Sequence, residues 1–114
     1  MTSQAFTVTI ARERVQELRD LLAELNKDPS GLIERARVVG YHRERMWLQP
    51  NADGSAQFIV YLELDEGVDP AMLLARLRAY ESDFTRWWSQ RYMSFLPYPP
   101  PRGETLFSWD AEGI

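Results

Sequence analysis

The chain has no cysteine and a single histidine, His42, among its 114 residues. Disulfides and thiolate chemistry are therefore excluded, and a His/Cys metal set cannot be assembled from what remains. No positive charge is in excess. Thirteen Lys and Arg stand against 17 Asp and Glu, a formal net charge of -4. A field that gathers phosphates is missing, which disfavours a nucleic-acid partner. No apolar run approaches the ~18 residues of a membrane span, and the first residues lack a basic region followed by an apolar one. The expectation is a cytoplasmic protein with no membrane partner. The six glycines are scattered as turn residues, so neither a phosphate loop nor a dinucleotide fingerprint is present, nor is a Ser-His-acid elbow. No cofactor and no metal are expected.

What the chain does have is aromatic residues: four Trp, five Tyr and five Phe. Such side chains must be buried, stacked on a partner or arranged around a pocket. The length allows one domain, residues 1–114, with one core.

The hydrophobic period changes along the chain. Phe6-Thr7-Val8-Thr9-Ile10 alternates and reads as a strand. From Ala11, Val15, Leu18, Leu22 and Leu25 mark one face of an amphipathic helix that ends near Asn26. Asp28-Pro29-Ser30-Gly31 breaks it, and residues 32–37 add a helical turn. Residues 38–48 and 57–64 read as two strands joined by Asn51-Ala52-Asp53-Gly54, a hairpin. Asp69-Pro70 is a helix start followed by Leu73, Leu74 and Leu77. A second cap at Ser82 or Asp83 precedes an aromatic helix with Phe84, Trp87, Trp88, Tyr92 and Phe95. The proline-rich residues 97–101 form an extended connector, and residues 104–110 read as a last strand.

This order, β-α-β-β-α-β, predicts a ferredoxin-like α+β sandwich with both helices on one face of an antiparallel sheet. The other face is left bare and apolar, so a second copy should cover it and give a homodimer, a dimeric α+β barrel.

Period-two alternation on the first hairpin strand puts His42 and Glu44 on one face with Val38, Met46 and Leu48. The other face takes Arg37, Arg43 and Arg45 with Tyr41 and Trp47. A neutral imidazole shuttles protons near pH 7 and a neighbouring carboxylate orients it, so His42 and Glu44 are the candidate catalytic pair. The bland alternative is a core histidine hydrogen-bonded to its neighbour. The arginines suit a carboxylate or enolate, Arg43 foremost, or else pair with Glu63 or Glu104 across strands or subunits. Trp87 and Trp88 lie about 100° apart on a helix, so one is a candidate wall for a flat ligand, with Tyr61 and Tyr92 as phenols that bind its oxygens.

Three segments carry a resemblance: Val39-Gly40-Tyr41-His42-Arg43-Glu44-Arg45-Met46-Trp47, then Phe95-Leu96-Pro97-Tyr98, then Glu104-Thr105-Leu106-Phe107-Ser108-Trp109. They resemble the Gly-Val-Arg-Arg-Arg strand, Leu-Thr-Pro-Tyr connector and Phe-Tyr-Ser-Trp end of the tetracenomycin-type aromatic polyketide cyclases. The resemblance implies a cofactor-independent cyclase or related enolisation catalyst of antibiotic biosynthesis, a dimeric barrel holding an aromatic or polyketide small molecule. The chain departs from that family at Glu44, where an arginine is usual, at Leu25-Asn26, where His-Asp ends the helix, and at Tyr61, near the family's strand histidine. Phe84-Thr85-Arg86-Trp87 also resembles a Phe-x-x-Trp pattern in uncharacterised barrel proteins of the same fold. The alternatives are a cofactor-free monooxygenase acting on a phenol, and a non-enzymatic ligand-binding barrel.

Overall fold

A computed structural model of the protein describes residues 2–97 and 101–111. The described residues form an α+β fold: one antiparallel sheet of three strands and four α-helices. Strand β1 (Thr2–Ile10) leads through a 3-10 turn into helix α1 (Val15–Lys27), and α2 (Ser30–Val39) follows at once. The hairpin is β2 (Tyr41–Pro50) and β3 (Ala56–Leu64), and the chain continues through α3 (Pro70–Ala79) and α4 (Asp83–Tyr92). The strand order is β1-β3-β2, so β3 is central and β1 and β2 are edges.

The start and stop signals act as side-chain chemistry predicts. Asp69 accepts the Met72 backbone N–H at 2.8 Å, with Pro70 in the first helical turn, and Ser82 accepts that of Thr85 at 3.0 Å. Each satisfies an orphan donor at a helix start. Between β2 and β3, Asn51 and Ser55 close the turn with a 2.8 Å backbone bond.

Alternation on the strands sorts the sheet into two faces. Val8 and Ile10 of β1 and Phe58, Val60, Leu62 and Leu64 of β3 are buried on the face that meets the helices. One cluster joins Val8, Ile10, Phe58 and Val60 to Leu18 and Leu21 of α1 and to Trp88, Tyr92 and Phe95. The other joins Tyr41, Leu62 and Leu64 to Ala36 and Val39 of α2 and Leu73 of α3. Trp88, 2% exposed, stacks on Tyr92 with ring centres 4.4 Å apart. The opposite face carries Thr7, Thr9, Gln57, Ile59, Tyr61, Arg45 and Trp47, none of them buried, and Trp47 is 48% exposed.

Three expectations need correction. Residues 38 and 39 are the end of α2, not the start of β2. Gly40 is the reason: at φ 113° it takes the left-handed conformation that terminates helices, and a side chain there would strike Val68. Arg37 therefore belongs to α2 and not to a strand face with Arg43 and Arg45. Residues 28–31 do not separate a helix from a single turn; α2 is a full ten-residue helix, crossing α4 so closely that a Cβ on Gly31 would overlap Phe84. Finally, residues 104–110 form no strand. The connector is described only in part, and Tyr98, Pro99 and Pro100 lie outside the described residues.

No helix among the described residues is long and apolar enough to cross a membrane.

Candidate functional site

The chemistry of this site turns on one extra residue in β2. Tyr41 pairs with Leu64 and Arg43 with Glu63, so His42 has no partner of its own and forms a β-bulge. A bulge resets the alternation. Tyr41 and Glu44, three residues apart, pair with Leu64 and Leu62 and both face the helices, whereas Arg43 opposite Glu63 faces the open side. The expected strand face shared by His42 and Glu44 is thus replaced by one shared by Tyr41 and Glu44.

Beside this bulge, α1, α2 and β2 enclose an open cavity of about 680 Å³. Leu22 and Leu25 of α1, Leu32 and Ile33 of α2 and Met46 of β2 form its apolar walls. Its polar residues are Asn26, Arg37, Tyr41, His42, Arg43, Glu44 and Asp65. An apolar chamber with a few converging polar groups is the general form of a small-molecule site.

Glu44 is the unusual member. Withdrawal of its carboxyl from water raises its pKa to about 7, against the opposing pull of a Tyr41 hydrogen bond and the Arg35 charge. The Tyr41 hydroxyl donates to Glu44 Oε1 at 3.1 Å. The Arg35 charge, on α2, opposes the rise of both groups' pKa, and its Nε is buried without a hydrogen-bond partner. The Arg35 guanidinium also lies 5.5 Å from the Phe84 ring. Burial and the neighbouring Glu44 charge hold the Tyr41 phenol well above its usual range, so Tyr41 stays a neutral donor. A carboxyl poised near neutrality, with a phenol donor on one side and a buried cation behind, can accept and return a proton at ordinary pH.

His42 belongs to a second cluster. Its Nδ1 lies 2.8 Å from Asp65 Oδ1, and its Nε2 lies 3.5 Å from Glu63 Oε2. Arg43 Nη1 donates to Glu63 Oε1 at 3.2 Å, and the Tyr61 hydroxyl donates to the same oxygen at 2.7 Å. These donors, Tyr61 foremost, hold the Glu63 carboxyl below its ordinary range, and the same bond holds the Tyr61 phenol above its own. The Arg43–Glu63 cross-strand pair is one that the sequence suggests.

Of the seven residues singled out by sequence, His42, Arg43 and Glu44 line the cavity. Tyr61 lies on the open sheet face. Trp88 and Tyr92 are packed in the core, and Trp87 stands beside them with the Arg91 guanidinium 5.2 Å from its ring. None of these four lines the cavity. The walls come instead from α1 and α2, including Leu25 and Asn26. Tyr41, which strict alternation assigns to the face of Arg43 and Trp47, instead faces the helices and is buried, and Arg35 is not among the expected site residues. The signal for Tyr41 was Gly40, which ends a helix and so delays the start of the strand; Arg35, one of several arginines in a helix, carries no signal of its own. Among the described residues no three His, Asp or Glu are grouped to hold a metal.

No protein-family model matches the chain, and no curated protein matches it.

Proposed function

We propose that the protein is a cofactor-independent enolisation or cyclisation catalyst for an aromatic, polyketide-like molecule, with Glu44 as its proton carrier. The observation that supports this reading is the Glu44 carboxyl in the cavity wall, its pKa raised to about 7 and its Oε1 bonded to Tyr41. In the reaction, ionised Glu44 takes a proton from the carbon between two carbonyls. The C–H electron pair moves into a carbon–carbon double bond, and the carbonyl π pair moves to oxygen as an enolate. Arg37 and Arg43 stand on the same cavity and suit that negative oxygen. The enolate carbon then attacks a second carbonyl of the folded chain, a C–C bond forms, and the new alkoxide recovers the proton from Glu44. Apolar walls from α1 and α2 select one folded geometry, which is much of what a reactive polyketone requires. His42, held between Asp65 and Glu63, serves as a polar wall rather than the first base.

The same reading places the domain in a dimeric, ferredoxin-like α+β barrel of the cytoplasm, in which a second copy covers the open sheet face around Trp47. Support comes from the exposure of Trp47 beside Ile59 and Tyr61 on that face.

An aryl triketone in deuterated buffer tests the chemistry. Exchange of the protons between its carbonyls should accelerate with the protein, and the rate should rise with pH through about 7 as Glu44 ionises. Glu44→Gln should lower the rate at least ~100-fold, the usual worth of a positioned base. An unchanged rate in that variant overturns the role of Glu44. Cyclised product that appears under air but not under argon would replace cyclisation with oxygenation.

A further inference from the structure

The described residues after the proline-rich connector, 101–111, form an arm and are all exposed. Leu106 is 86% exposed, Phe107 85% and Trp109 69%. Single exposed apolar residues are ordinary, but three within four positions, two of them aromatic, are a contiguous patch. The arm is anchored at its root. Gly103 N–H donates to the Ala5 carbonyl on the outer edge of β1 at 2.6 Å. A shallow hollow of about 220 Å³ there is lined by Ala5, Thr7, Ile59 and Gly103 among others. Thr7 and Ile59 belong to the open sheet face, so the arm departs from the boundary of that face.

We infer that residues 104–110 are an exchanged arm, laid by each copy across the open sheet face of a second copy of this chain. The inference rests on the dimer reading above and adds the segment that makes the contact. Two features of the arm match that destination. In extended form Phe107 and Trp109 point to one side, and the open face offers Trp47, Ile59 and Tyr61 to receive them. The two aromatics alone carry roughly 150–250 Å² each. Two symmetric arms and two faces therefore reach the ~1,200 Å² or more that a stable association buries.

The test is the solution mass of the intact chain and of two variants, one ending at Arg102 and one carrying Phe107→Ser with Trp109→Ser. Circular dichroism confirms that each variant is folded, as expected because Phe107 and Trp109 are largely exposed within one copy. The inference expects twice 13.3 kDa for the intact chain at micromolar concentration, and for each variant the mass of a single copy of that variant. The apparent dissociation constant should rise at least ~100-fold, the effect of losing two aromatic anchors. Variants that stay dimeric overturn the arm and leave the dimer standing. An intact chain that is monomeric overturns both.

Discussion

Two glutamates near one bulge have been pushed in opposite directions, and the difference shows what sets proton affinity in this fold. Glu44 faces the helices, has one phenol donor and little water, and its pKa rises to about 7. Glu63 faces the open side, accepts from Tyr61 and Arg43 with His42 alongside, and its pKa falls. Both are strand glutamates with a tyrosine partner. Desolvation wins where donors are few, and hydrogen bonding wins where they are several. The bulge at His42 creates the contrast by letting Tyr41 and Glu44 share the helix side while Arg43 and His42 serve Glu63.

The comparison breaks most severely if the extra residue is used up in the wrong place. Deleting Arg45 lets the bulge absorb the gap, which sends Arg43 to the helix face and Glu44 to the open one. A buried guanidinium without a carboxylate should cost roughly 3–5 kcal/mol. Deleting His42 instead leaves a regular strand in which Tyr41, Glu44, Met46 and Leu48 keep their faces, and the fold should survive with losses below about 1 kcal/mol, since the His42 side chain is nearly half exposed and its ion pairs are of the solvent-exposed kind. Urea unfolding of the two deletions checks this, and equal losses would refute the bulge argument.

A smaller effect follows from the titration of Glu44. The folded protein binds that proton more tightly than the unfolded chain, because the pKa is raised from 4.5 to about 7. Its stabilising contribution is therefore complete below about pH 4.5 and lost as pH rises through about 7. At about 1.4 kcal/mol for each pH unit between the two values, this is roughly 3 kcal/mol. Glu63 has the opposite sign: its contribution is present above the ordinary carboxylate range and lost as pH falls below it. The urea midpoint should thus fall between pH 5 and 8, and Glu44→Gln should flatten that fall. Arg35→Met removes the cation that lowers the Glu44 pKa, so the fall should extend to higher pH. A Glu44→Gln protein with the wild-type pH slope would show that another group titrates.

Much of this architecture is legible in the sequence, for stated physical reasons. Alternation marks β1 and β3, Asp69-Pro70 and Ser82 mark two helix starts, and Asn51 to Gly54 marks the hairpin turn. Period two fails at residue 42 because a bulge leaves no composition signal; it appears only when Tyr41 and Arg43 are found opposite successive residues of β3. Reading Val38 and Val39 as strand followed β propensity, whereas the left-handed Gly40 ends a helix there. The aromatic stripe of α4 is core, as such stripes usually are, which removed Trp88 as a ligand wall. Cavity walls from α1 and α2 were hidden because a leucine facing a chamber and a leucine facing a core have the same spacing.

The smallest effect separates the two roles open to Arg43. Its pairing with Glu63 at 3.2 Å is half exposed on the arginine side, so it carries little stability: a solvent-exposed pair contributes about 0.2–1 kcal/mol and weakens in salt. Arg43→Ala should therefore shift the urea midpoint slightly at low ionic strength and hardly at all in 1 M salt. Its effect on enolate formation should be larger, because Arg43 also lines the cavity where the proposed reaction develops negative charge. The deuterium-exchange rate of the aryl triketone, measured beside the urea midpoint, distinguishes the two. A rate that falls ~10-fold or more with a midpoint nearly unchanged assigns Arg43 to the site. A rate that falls only in step with stability leaves it as a partner of Glu63 and nothing more.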